Sequence, residues 1–146
     1  MRKVLFLCTH NAGRSQMAQA LFNHMAAGRA HALSAGTHPA SQVDPSVLQV
    51  MREIGLDLST ARPKPLTDVP LQKGVERLIT MGCDVACPTV PGLPTEDWGL
   101  EDPAGQPLEK VRAIRDQVIL RVQRLLQEMG IEPRPLPLPR PSAHSG

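Results

Sequence analysis

Aromatic residues are scarce. Phe6, Phe22 and Trp98 are the only ones in 146 residues, and tyrosine is absent. A core of stacked rings is excluded, so the interior has to be aliphatic. Long apolar runs are missing too, and nothing approaches the ~20 residues of a membrane-spanning helix. Charge is nearly balanced: Lys plus Arg is 16, Asp plus Glu is 14, and the formal net charge is +2. A dedicated nucleic-acid binder usually carries a strong basic bias, so that class is disfavoured. Cysteine is limited to Cys8, Cys83 and Cys87. A static disulfide framework would leave one thiol over, whereas one nucleophile plus one exchangeable pair uses all three. The apolar run at 4–7 is too short for a signal-peptide core, so the expected compartment is the cytoplasm, where thiols stay reduced. Cys83-x3-Cys87 has no second paired ligand spacing among the five histidines, so no metal is expected.

What is present is an ordinary globular chain. Hydrophobic residues make up 41%, enough for one core at this length. Prolines number 15, and Pro133, Pro135, Pro137, Pro139 and Pro141 alternate near the C-terminus. A single domain is expected over 1–130, followed by a flexible proline-rich tail at 131–146. The run 4–7 reads as a strand buried on both faces. Met17, Leu21 and Met25, with Ala18 and Phe22 beside them, predict a helix. A second strand is predicted at 31–35. Asp44-Pro45 opens a second helix, with Asp as N-cap and Pro at the first helical position. A polar proline-bearing loop follows at 62–65, and a short helix or turn at 68–74. Strands at 75–81 and 95–100 come next, separated by a loop that holds Cys83 and Cys87. A long helix at 108–129 ends at Gly130. Strands alternating with helices predict an α/β fold with a parallel sheet. Ligands of such folds sit beyond the carboxyl ends of the strands, where Cys8, Cys83 and Asp102 all fall.

The most informative segment is Cys8-Thr9-His10-Asn11-Ala12-Gly13-Arg14-Ser15, placed between a strand and a helix. A tight loop entering a helix turns several backbone N–H groups inward, a nest for a tetrahedral oxyanion. Arg14 adds a planar charged fork that suits two oxygens of phosphate or arsenate. This surrounding favours the thiolate of Cys8. Ser15 is placed to donate to that thiolate, Asn11 to brace the loop, and Gly13 to take a backbone angle other residues resist. Asp102, before Pro103, suits either a turn start or the donation of a proton to a leaving oxygen.

The segment Cys8-Thr9-x-Asn11-x-x-Arg14-Ser15-x-Met17-Ala18 resembles the active-site loop of the low-molecular-weight protein tyrosine phosphatase superfamily. Within it, the likeness is to the thioredoxin-coupled arsenate reductases. Ser34-Ala35-Gly36, Met81-Gly82-Cys83, Cys87-Pro88, and Trp98 followed by Asp102-Pro103 extend the resemblance over roughly 4–126. It implies a three-layer sandwich with a four-stranded parallel sheet. It further implies Cys8 as nucleophile, Arg14 as oxyanion binder, Asp102 as general acid, and loop residues 9–15 around the substrate. Cys83 and Cys87 would carry two electrons to thioredoxin by disulfide exchange. No cofactor, no nucleic-acid or membrane partner, and a monomer are expected.

The chain departs from that pattern at three places. Only Asp84-Val85-Ala86 separates the later cysteines, where the best-known reductases have six residues. Gln19 stands where related reductases often carry a Glu that supports an alkali-cation site. Ala104 and Gly105 stand where tyrosine phosphatases place ring-flanking tyrosines. The alternatives are a tyrosine phosphatase, or a reductase resolved by mycothiol or glutaredoxin.

Overall fold

A computed structural model describes residues 2–69, 74–82 and 91–137. The apolar run at the N-terminus forms β1 (Lys3–Cys8), and Arg14–Ala26 forms α1. β2 is His31–Gly36, α2 is Pro45–Arg52, and a 3-10 turn follows at Leu66–Asp68. β3 is Val75–Thr80, β4 is Thr95–Asp97, and α3 is Leu108–Glu128. The strands form one sheet in the order β2-β1-β3-β4, and every pairing is parallel. The chain leaves β1 toward β2 on one side and returns to β3 on the other. The crevice beyond β1 is therefore the switch point at which such sheets bind ligands.

Alternation along β1 sorts its side chains between two clusters. Val4, Phe6 and Cys8 join the main core with Met17, Leu21, Phe22 and Met25 of α1. Val47, Val50 and Met51 of α2 and Val111, Val118 and Val122 of α3 complete it. Leu5 and Leu7 face the other way, with Ala35 and Leu78, beneath Leu66 and Val69. The three aromatic rings sit together. Phe6 meets Phe22 edge-on at 6.0 Å and Trp98 at 5.5 Å between ring centroids. A buried ion network joins α2 to α3: Arg115, 1% exposed, reaches Glu53 at 2.8 Å and the Val50 carbonyl at 2.8 Å.

Several boundaries shift. The expected strand at 95–100 ends at Asp97, because Trp98 turns inward. The turn expected at 68–74 sits at Leu66–Asp68, and residues 70–73 lie outside the described residues. The described chain continues past Gly130 against the core. Ile131 is buried, Leu136 packs against the core, and the Arg134 N–H donates to the Met25 carbonyl at 2.9 Å. His24 bonds the Pro135 carbonyl at 2.8 Å. Residues 131–137 thus lie along the end of α1, while 138–146 fall outside the described residues. Alternating prolines hid this, because the docking uses backbone groups and one leucine rather than a periodic apolar face.

Candidate active site

The loop after β1 is held from outside by the segment that follows β2. The carbonyls of Cys8, Thr9, His10 and Ala12 accept from the N–H groups of Thr37, His38, Ala40 and Asp44 at 2.7–3.1 Å. In a trans peptide the N–H points opposite to the C=O. The N–H groups of His10, Asn11 and Gly13 are therefore turned to the inner side of the loop, as an anion nest requires. Asn11 is the loop residue in the left-handed region, at φ 51°. Gly13 is not, at φ −141°. Its need is for space, since a Cβ there would lie 2.7 Å from Pro103 Cγ.

The hydrogen bonds fix one direction of polarity toward Cys8. The Asn11 Oδ1 accepts from the Lys64 backbone N–H at 3.0 Å, Gln16 Nε2 at 3.0 Å and Lys64 Nζ at 3.4 Å. Lysine can only donate, which settles the orientation of the Asn11 amide. Asn11 Nδ2 then donates to Ser15 Oγ at 2.7 Å, and Ser15 Oγ lies 2.9 Å from Cys8 Sγ. Toward a Cys8 thiolate, which has no proton to give, the Ser15 hydroxyl is the donor. Asn11 and Ser15 are fully buried, so water does not compete.

Arg14 is buried and clamped. Its Nη1 donates to the carbonyls of Gly82 and Leu100 at 2.8 and 2.9 Å, and its Nη2 stands 3.7 Å from Asp102 Oδ2. The remaining edge of the guanidinium belongs to the pocket. A Cβ at Gly82, φ +82°, would come within 2.7 Å of Arg14 Nη1, so glycine is required there.

These groups line a cavity of about 200 Å³: Cys8, His10, Ala12, Gly13, Arg14, Ala40, Asp44, Asp102 and Ala104. No Phe, Tyr or Trp is among these described lining residues. Of the expected site residues, Cys8, His10, Ala12, Gly13, Arg14 and Asp102 reach the wall. The side chains of Thr9, Asn11 and Ser15 stand behind it. Cys83 and Cys87 lie outside the described residues. His10 Nδ1 is 3.1 Å from the His38 carbonyl, which fixes the ring at the pocket edge.

The sequence reading missed two residues. Asp44 holds the N-cap position, but its carboxylate makes no capping hydrogen bond and lines the pocket instead. Burial first, then the Asp102 charge, push its pKa above the usual carboxylate range, and His10 partly offsets this. Lys64 looked like one cation in a polar loop. Its place follows from the bridge between Gly36 and Pro65, which lays residues 62–65 along the end of β2. Among the described residues no group of His, Cys, Asp and Glu is arranged to hold a metal.

Comparison with known proteins places this geometry. Residues 3–134 match the model of the low molecular weight phosphotyrosine protein phosphatase family. The chain belongs to this family. Among curated relatives of this phosphatase-family chain is the glutaredoxin arsenate reductase of Synechocystis, 36% identical over 132 residues. That match covers 89% of this chain and 100% of the relative. Among solved structures, the thioredoxin-dependent arsenate reductase of Corynebacterium glutamicum superposes with a TM-score of 0.75 at 39% identity. The match covers 89% of this chain and 62% of that one. An arsenate reductase in a phosphate-binding state gives a TM-score of 0.78 at 33% identity, covering 88% of this chain and 98% of that one. None of the described helices is long and apolar enough to cross a membrane.

Proposed function

We propose that this phosphatase-family chain is an arsenate reductase. The observation that carries the reading is the buried hydrogen-bond chain ending on Cys8, set against the Arg14 fork in a pocket whose described wall holds no Phe, Tyr or Trp. A phosphotyrosine ring would find only the His10 imidazole, and no Phe, Tyr or Trp, among the described lining residues. An inorganic tetrahedral oxyanion needs no stacking wall. The cysteine inventory adds to this, because a hydrolase needs one thiol and a reductase needs two electrons from a thiol pair.

The proposed chemistry starts at the Cys8 thiolate, which attacks arsenic(V) held by Arg14 and the inward N–H groups. A sulfur–arsenic bond forms, and one oxygen leaves as water with a proton from Asp102. The Cys83 thiolate then attacks Cys8 sulfur. The sulfur–arsenic bond breaks, and its electron pair passes to arsenic, which departs as arsenite. A Cys8–Cys83 disulfide is left. Cys87 attacks Cys83, frees Cys8 and forms Cys83–Cys87. Thioredoxin then supplies two electrons and two protons to restore the dithiol. Glutaredoxin or mycothiol as electron donor is the alternative, and the name of the Synechocystis relative supports including it in the test.

The test is arsenate-dependent NADPH oxidation, coupled to thioredoxin and thioredoxin reductase and, in parallel, to glutaredoxin and glutathione. Cys8→Ser is expected to abolish turnover, and Asp102→Asn to lower kcat by roughly 10²–10⁴-fold. Cys83→Ser and Cys87→Ser are expected to stop steady-state turnover with thioredoxin. Full thioredoxin-coupled activity in both of these would overturn the relay. Aryl phosphate hydrolysis without arsenate reduction would overturn the reductase.

A further inference from the structure

The ammonium of Lys64 sits in a niche made of oxygens. Its Nζ lies 3.4 Å from Asn11 Oδ1, 3.3 Å from Ser34 Oγ and 3.3 Å from the Arg62 carbonyl. Three elements meet there: the loop after β1, the end of β2 and the loop that precedes the 3-10 turn. Ser34 accepts from Lys64 and passes its own proton to Gln19, so the niche presents only lone pairs to the cation. Half-burial opposes the charged form and pulls the Lys64 pKa below the usual lysine range, with Asp68 partly restoring it. An exposed position would have held the amine more cheaply. The ammonium is nonetheless kept at the far end of the donor chain that finishes on Cys8.

We propose that Lys64 is a positioning residue: its charge, seated on the Asn11 carboxamide, polarises Asn11 and Ser15 so that the Ser15 proton is directed at the Cys8 thiolate. The inference rests on Cys8 being the nucleophile. The cation holds the Asn11 oxygen, the Asn11 amide donates to Ser15 Oγ, and the Ser15 hydroxyl hydrogen is left for the Cys8 thiolate, which can only accept. A unit charge on the order of 10 Å from sulfur, at an effective permittivity of about 20, corresponds to roughly a tenfold change in the thiol–thiolate ratio. The other charged groups facing Cys8 are Arg14 from α1, His10 from its own loop, Asp44 at the start of α2 and Asp102 before α3. The charge acting on Lys64 is Asp68 of the 3-10 turn, Asp57 lines the same cleft, and Arg62 meets the ammonium through its backbone carbonyl, while Gln16 and Gln19 of α1 and Ser34 of β2 are neutral.

The experiment uses the full chain with Cys83→Ser and Cys87→Ser, so that Cys8 is the single thiol. Its alkylation by iodoacetamide is followed against pH with Lys64, Lys64→Gln, Lys64→Arg and Lys64→Ala. In Lys64→Gln the midpoint of the rate–pH profile is expected to move up by about one pH unit while the high-pH plateau is unchanged. Lys64→Arg is expected to keep most of the rate. Lys64→Ala opens an ammonium-sized niche, so ammonium chloride is expected to restore its rate and choline chloride at equal ionic strength is not. A Lys64→Gln profile that overlays the parent overturns the inference, as does rescue no better with ammonium than with choline. Failure of the underlying reading looks different. Arsenate turnover that survives Cys8→Ser removes the nucleophile itself, whereas an inactive Cys8→Ser with an unmoved Lys64→Gln profile removes only the role of Lys64.

Discussion

Gly82→Ala tests how the fold aims Arg14. The new Cβ would stand 2.7 Å from Arg14 Nη1 and 2.9 Å from the Leu100 carbonyl oxygen, on a backbone at φ +82°. An alanine held in the left-handed region costs roughly 1–2 kcal/mol. The contact itself leaves two outcomes, since either Arg14 abandons its carbonyl partners or the end of β3 moves. Losing a charge-assisted hydrogen bond costs about 1.5–3 kcal/mol. The sum is about 3–5 kcal/mol. Gly130 provides the control, because it has φ +79° with nothing within 4 Å of a Cβ. Gly130→Ala therefore bears only the backbone cost of roughly 1–2 kcal/mol. In urea, followed by far-ultraviolet circular dichroism at a slope of about 2 kcal/mol per M, the midpoint should fall by roughly 2 M for Gly82→Ala and by about 0.5–1 M for Gly130→Ala. Phosphate affinity, read by titration calorimetry, should fall roughly 10–100-fold in Gly82→Ala only, as the fork loses its aim. Equal midpoints in the two variants would refute the clash. A full stability loss with unchanged phosphate affinity would refute the claim that these carbonyls orient Arg14 for the anion.

Two further predictions concern buried charge. Glu53→Ala should destabilise by roughly 1.5–3 kcal/mol in thermal or urea melts, because the guanidinium of Arg115, 1% exposed, loses the Glu53 carboxylate and keeps only Asp116 at 3.0 Å as an acidic partner. Arg112→Ala, which removes a more exposed partner of the same Glu53, should cost clearly less, and equal losses in the two would refute the ranking. Asp44 has a raised pKa in the fold, so the folded state holds its proton more tightly than the unfolded chain does. Wild-type stability should therefore fall as pH rises through the Asp44 titration, and Asp44→Asn should be the more stable protein at pH 7. The difference should vanish below the unfolded carboxylate value of about 3.9. Urea midpoints at the two pH values check this, and an advantage for Asp44→Asn that persists at the lower pH would refute it.

The parts of this protein legible in its sequence are those written in contiguous residues. The loop from Cys8 to Ser15 announces itself, because strand, thiol, arginine, serine and helix follow one another within a few positions. The long helix ending before Gly130 is equally plain from its periodic valines and leucines. The two residues missed at the site depend on chain segments brought together from a distance. Asp44 obeys a local rule, acid before proline, and that rule accounts for its backbone but not for its carboxylate. Lys64 sits between prolines in a segment with no period at all. Its role arises when residues 62–65 are drawn against β2 by the bridge between Gly36 and Pro65. Docking of 131–137 was hidden for a related reason, since backbone carbonyls accept hydrogen bonds whatever side chain stands above them.

The scarcity of aromatics has an optical consequence. Trp98 is the one indole and there is no tyrosine, so ultraviolet emission from this protein reports a single site. That indole is buried against Phe6, two residues before Cys8 on β1, and its backbone N–H bonds the Thr80 carbonyl at 2.8 Å at the end of β3. Its Nε1 donates to Glu96 at 3.2 Å. A native fluorophore is thus built between the strand that delivers the thiol and the strand that leads to Gly82. Stopped-flow mixing with an oxyanion can follow the strand ends without any attached dye.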